Sequence, residues 1–86
     1  MIIKDIQYSQ NGQTRTDGRY PTRIGCQVNF AMPIEIGQCM WLGYEKDKNG
    51  EPKEGYLRTS AVTGTFDTET DIIVETLNSV YVLTKV

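Results

Sequence analysis

The chain has 86 residues, with nine Lys and Arg against eleven Asp and Glu, a net charge of −2 and no histidine. That length predicts one domain spanning 1–86 with a small core, since a chain this short buries only about 60–65% of its unfolded surface. The missing histidine removes the commonest general base and metal ligand, and mild acidity argues against a protein held on nucleic acid by bulk charge.

Composition points to an all-β fold. Val, Ile and Thr number 24, whereas Ala and Leu number six. β-Branched residues suit a pleated surface, and Ala and Leu favour helices. Eight glycines and three prolines divide the chain into short runs, the punctuation of a barrel or sandwich.

Ile2 to Tyr8 reads as a first strand. Ser9 to Tyr20 is polar, with turn signals at Asn11-Gly12 and Asp17-Gly18; it is expected as a loop or an extra hairpin. Thr22 to Phe30 reads as the clearest strand, because Ile24, Cys26, Val28 and Phe30 alternate with Arg23, Gly25, Gln27 and Asn29. Ala31 to Gln38 is a connection containing Pro33 and Gly37. Gln38 to Lys46 is expected as a strand with bulk on both faces. Asp47 to Glu51 holds Asn49-Gly50, a strong hairpin signal. A turn there sets Leu42 opposite Leu57 and Met40 opposite Thr59, and Tyr44 near Tyr56.

Tyr56 to Phe66 changes phase. Leu57 and Val62 sit at positions of opposite parity, so a bulge near Arg58-Thr59-Ser60 is expected. A hairpin at Asp67 to Asp71 then sets Val62 opposite Thr76 and Ser60 opposite Asn78. Ile72 to Leu77 and Val80 to Val86 complete the strands, joined by a turn at Asn78-Ser79. Six to seven mostly antiparallel strands joined by hairpins predict a small, curved SH3-like barrel; a two-sheet β-sandwich is the alternative.

Three clusters are candidates for binding. The first is polar: Arg58, Thr59, Ser60, Asn78, Ser79 and Tyr81, with Thr76, brought together by the hairpin registers. Its hydroxyls, amide and guanidinium suit a phosphate, a carboxylate or peptide backbone. The second is basic: Arg15, Arg19 and Arg23 flank Tyr20, and residues 1–30 carry +2 against −4 for the remainder. Arginine beside an aromatic grips phosphates or bases, which makes a nucleic-acid module the second functional reading. The third is aromatic: Trp41, Tyr44 and Tyr56.

Catalysis has little to work with. No histidine supports a Ser or Cys triad, Cys26 and Cys39 do not form a zinc site of ordinary spacing, and no phosphate-binding glycine motif occurs. No cofactor and no metal are expected. Met1 to Asp5 lacks a signal-peptide pattern, and no run approaches the ~20 apolar residues of a membrane span. A cytoplasmic protein with reduced thiols is the expectation.

Leu57-Arg58-Thr59-Ser60-Ala61-Val62, followed by Val74-Glu75-Thr76-Leu77-Asn78-Ser79-Val80-Tyr81-Val82-Leu83, resembles small β proteins carried by bacteriophages and other mobile elements of bacteria. Ile34-Glu35-Ile36-Gly37-Gln38 is similar to the lead-in of many SH3-like barrels. The resemblance implies an accessory protein in a bacterial host. Such a protein inhibits a host protein or sequesters a small nucleotide-like immune signal. The reading is therefore a non-catalytic binding protein, with Arg58, Thr59, Ser60, Asn78, Ser79 and Tyr81 at its site and Trp41 and Arg23 as outliers. A structural protein that forms homo-oligomers is a third reading.

Overall fold

The β-branched runs become six strands in a computed structural model that describes residues 1–86. In chain order they are β1 (Ile2–Tyr8), β2 (Gln27–Phe30), β3 (Cys39–Lys46), β4 (Tyr56–Asp67), β5 (Asp71–Thr76) and β6 (Ser79–Thr84), with one helical turn, α1 (Tyr20–Arg23), before β2. Each strand pairs antiparallel with the next, and β6 pairs with β1 to close a barrel. The two-sheet alternative is set aside by that closure.

The interior follows from alternation along each strand. Ile3, Ile6, Val28, Met40, Leu42, Leu57, Val62, Val74, Tyr81 and Leu83 point inward with Cys26 and form one buried cluster. Each large aliphatic side chain in it contributes about 1.5–3 kcal/mol relative to exposure. The expected pairs are observed, Leu42 with Leu57 and Val62 with Thr76, but each is reached through a one-residue shift, since Lys46 pairs with Pro52 and Asp67 with Ile72 beside the turns.

β4 needs two register shifts to wrap around so small a core. One lies between its pairings at Arg58 and Ala61, the other between Val62 and Gly64. At the first, the Thr59 hydroxyl replaces a ladder bond by accepting from the Met40 N–H at 3.0 Å and donating to the Ser60 carbonyl at 2.7 Å. The bulge thus leaves fewer orphaned backbone groups in the wall.

The segment before β2 departs from the expected strand. Tyr20 to Arg23 form α1, with Pro21 in its first turn, where a fixed φ favours helix and a missing N–H costs nothing. Gly25 ends the turn at φ +94°, and a Cβ there would lie 2.9 Å from Lys48 Cβ. Only Gln27 to Phe30 remain as strand, although Ile24 still packs against the core.

β1 and β2 share one register pair, Ile2 with Gln27. The seam is reinforced by bonds from Ile3 N–H to the Cys26 carbonyl (3.0 Å) and from Val28 N–H to the Met1 carbonyl (2.8 Å). Beyond it, the 9–20 segment folds back along β1: Gln7 bridges to Thr14, Tyr8 N–H donates to the Gln13 carbonyl, and Arg15 N–H donates to the Ile6 carbonyl. This return covers an edge that β2 is too short to reach.

The last turn lies one residue earlier than expected. Leu77 and Asn78 form it, and Ser79 already belongs to β6. Neither takes a positive φ; the Thr76 hydroxyl instead donates to the Ser79 carbonyl and accepts from the Ser79 N–H.

Candidate functional site

The polar candidates are built into the barrel wall and its turn. Thr59 serves the β4 bulge. Ser60 Oγ accepts from the Asn78 N–H at 3.3 Å, so β4 and the β5–β6 turn do meet there. Ser79 is buried, and its Oγ accepts from Arg15 at 2.7 Å. Tyr81 is only 2% exposed, and burial pushes its phenol up to about 12. Thr59, Ser79 and Tyr81 therefore present little surface to a partner. Arg58 does not join them, because its side chain leaves the outer face of β4.

Arg15 organises the same end of the barrel. Its guanidinium lies between the rings of Tyr8 and Tyr20, 5.0 Å and 4.0 Å from their centroids. Nε and Nη2 donate to the two Asp17 oxygens at 3.0 and 2.7 Å, and Nη1 donates to the Asn78 carbonyl and Ser79 Oγ. Four of the five N–H donors of an arginine are thereby filled. The Arg15 hydrogen bond holds Asp17 down at about 2, well below the usual carboxylate range. Arg15 thus joins the returning loop, α1 and the β5–β6 turn. Arg23 lies on the other side of Tyr20, 5.1 Å from its ring, and Arg19 is exposed. Of the basic cluster only Arg19 is exposed; Arg23 is half-buried against Tyr20 and beside the Tyr44 hydroxyl.

The outer face of β3 and β4 is different in character. Met40 and Leu42 point inward, so Trp41 between them points out. Arg58 and Tyr56 flank inward Leu57 in the same way. Tyr56 pairs with Gly43 in the register, and its ring passes over that glycine, 3.7 Å from where a Cβ would sit. Tyr44 alternates to the other face of β3, so its ring does not pair with that of Tyr56, although both residues border one depression with Lys53 and Glu54. Tyr44 packs toward the core with Lys53 Nζ 4.8 Å from its ring centre.

Tyr56 instead meets Trp41 edge to face, with centroids 6.4 Å apart and planes at 79°. The Arg58 guanidinium lies 5.7 Å from the Trp41 ring centre. Ala31 and Met32, from the connection after β2, complete an open depression of about 360 Å³ with Trp41 and Tyr56. Tyr56 is 68% and Met32 59% exposed. The sequence reading placed Trp41 and Arg58 in its site set; Tyr56 stood only among the aromatic candidates, and Met32 in an irregular connection carried no signal.

No protein-family model matches the chain, and no curated protein or solved structure matches it either.

Proposed function

We propose that the chain is a non-catalytic binding protein that docks a partner protein on the outer face of β3 and β4, through Trp41, Tyr56, Met32 and Arg58. The observation that carries this reading is the exposed Trp41–Tyr56 pair with Arg58 beside it. Trp, Tyr and Arg dominate the energetics of protein interfaces, because they combine large apolar area with a polar tip. Trp41 and Arg58 stand between buried neighbours on their strands, and Tyr56 is held at the start of β4 by Leu57 and its contact with Trp41, which reduces the ordering that binding must impose. Supporting the non-catalytic part, the chain has no histidine, and most of its acidic side chains are exposed on or beside turns. Blocking a host factor, the role implied by the mobile-element resemblance, asks for no more than such a face.

Co-purification from bacterial lysate tests the proposal, comparing the wild-type chain with Trp41→Ala and Tyr56→Ala. Both variants should keep the wild-type circular dichroism, since these side chains lie outside the core. Both should lose the protein that the wild type retains. Retention of the same protein by either variant, or of nothing by the wild type, goes against the reading.

A further inference from the structure

Arg58 is the one charge at the centre of the docking face. Cys39 to Tyr44, Tyr56 to Phe66 and Ala31 to Ile34 contain no other charged residue. The chain's ion pairs engage Lys4, Arg15 and Lys85, and Arg58 has neither an ion pair nor a hydrogen bond to the protein. Of the acids around the face, Glu45 accepts from Asn29 Nδ2 at 3.2 Å, and Glu35 and Glu54 belong to the flanking connections. A guanidinium resting against an indole keeps its N–H fork directed outward for a carboxylate.

We infer that the face takes an acidic–hydrophobic segment of the partner protein: an apolar side chain seats in the depression bordered by Ala31, Met32, Trp41 and Tyr56, and a neighbouring carboxylate accepts from Arg58. The inference rests on the docking-face reading and names its partner's chemistry. Charge complementarity selects this occupant over two others. A second copy brings no carboxylate in its own 31–34, 39–44 or 56–66 segments to meet Arg58, and a two-fold axis passing beside Arg58 sets the two guanidinium groups together. A nucleic acid carries a charge at every nucleotide, so its phosphates would reach Glu35, Glu45 and Glu54 as well as Arg58 and Lys53, whereas a single carboxylate has only Arg58 to meet.

Trp41 is the only tryptophan, so its emission reports on the face directly. The full chain is titrated with three blocked peptides of Leu, Phe and Ser that differ only at one central position, which is Asp, Asn or Lys. The Asp peptide should shift the emission saturably, and the Asn peptide should bind about tenfold more weakly, as expected for loss of a charge-assisted bond. Arg58→Glu should reverse the preference toward the Lys peptide. Equal binding of the Asp and Asn peptides overturns the acidic requirement; if Tyr56→Ala abolishes both, the docking face itself still stands. Unchanged Asp-peptide affinity in Arg58→Ala, or no response to any peptide, also overturns the inference, while the lysate comparison judges the face separately. A dimer in sedimentation that Trp41→Ala dissolves, or tighter binding of oligothymidylate than of the Asp peptide, overturns it in favour of the other occupants.

Discussion

Arg15 shows how much one side chain carries in a chain with so small a core. It stacks between two tyrosines and fills hydrogen bonds to Asp17, Asn78 and Ser79. Its side chain is 13% exposed, so truncation removes packing as well as charge. Arg15→Ala should lower stability by about 2–3 kcal/mol, read as a lower urea midpoint at unchanged slope. Arg15→Lys should recover less than half of that loss, because an ammonium keeps the charge but neither the planar stack nor the fork. A full recovery would show that charge alone matters there. Tyr81 gives a second prediction at this scale. Its phenol is raised from the ordinary 10 to about 12 by burial, so the fold favours the neutral form. The associated stability is fully present below pH 10 and is lost as pH rises through about 12, by an amount on the order of 2 kcal/mol. Burial raises the Tyr44 phenol as well, so ultraviolet titration of the five tyrosines should show a late step in which Tyr81 ionises only as the fold is lost, and Tyr81→Phe should shrink that step. Ionisation of all five near pH 10 with the fold intact would contradict it.

Among the elements, the segment around α1 separates what local pattern can and cannot reveal. Gly25 adopts φ +94° with Lys48 Cβ in the space a side chain would need, so Gly25→Ala combines backbone strain with a clash. It should cost about 2–3 kcal/mol in chemical denaturation, against about 1 kcal/mol for Gly12→Ser, which shares the positive φ (+72°) but meets no atom; a neutral Gly25→Ala would mean that the Asp47–Glu51 turn moves aside freely. The β3–β4 hairpin and the β4 bulge were legible, because Asn49-Gly50 marks the turn and the parity change at Leu57 and Val62 demands an extra residue; the pairing of Leu42 with Leu57 also depends on a one-residue shift at 53–55, since Lys46 pairs with Pro52. The strand expected over Thr22 to Phe30 was not sound in its first half. Ile24 and Cys26 both reach the core from either side of the Gly25 turn, and period two does not separate such a turn from a strand. Pro21 was the available signal for the helical turn. At the candidate site, Trp41 and Arg58 were readable as an outward aromatic and an outward cation. The Trp41–Tyr56 partnership needed the observed register, in which Gly43 rather than Tyr44 opposes Tyr56. The contact of Arg15 with the β5–β6 turn joins residues 63 and 64 positions apart, a closure that no local pattern encodes.

Taken as a whole molecule, the barrel is closed unevenly. β6 pairs with β1 along nearly its full length, from Ile2 with Thr84 to Tyr8 with Ser79. β1 and β2 share only the Ile2–Gln27 pair and a few flanking bonds. Opening at that seam breaks few hydrogen bonds, and the β1–β6 ladder can hold β1 in place while it occurs. Opening at any other seam breaks a longer ladder and exposes more of the buried cluster. Local openings of lowest cost dominate native-state hydrogen exchange. The amides of Ile3, Gly25 and Val28, which bond across the seam, should therefore exchange ahead of hydrogen-bonded amides in β5 and β6. The difference should amount to about a hundredfold, or roughly 2–3 kcal/mol of opening free energy. Arg15→Ala should speed exchange at Tyr8 and Gly12 as well, whose amides bond within the covering loop, since that loop is then no longer pinned to the β5–β6 turn. It should leave the trio of Ile3, Gly25 and Val28 slower to change, because their bonds lie on the far side of the loop's attachment to β1. Uniform protection of all these amides would mean that the barrel opens only as a unit, with the short seam as strong as the long ones.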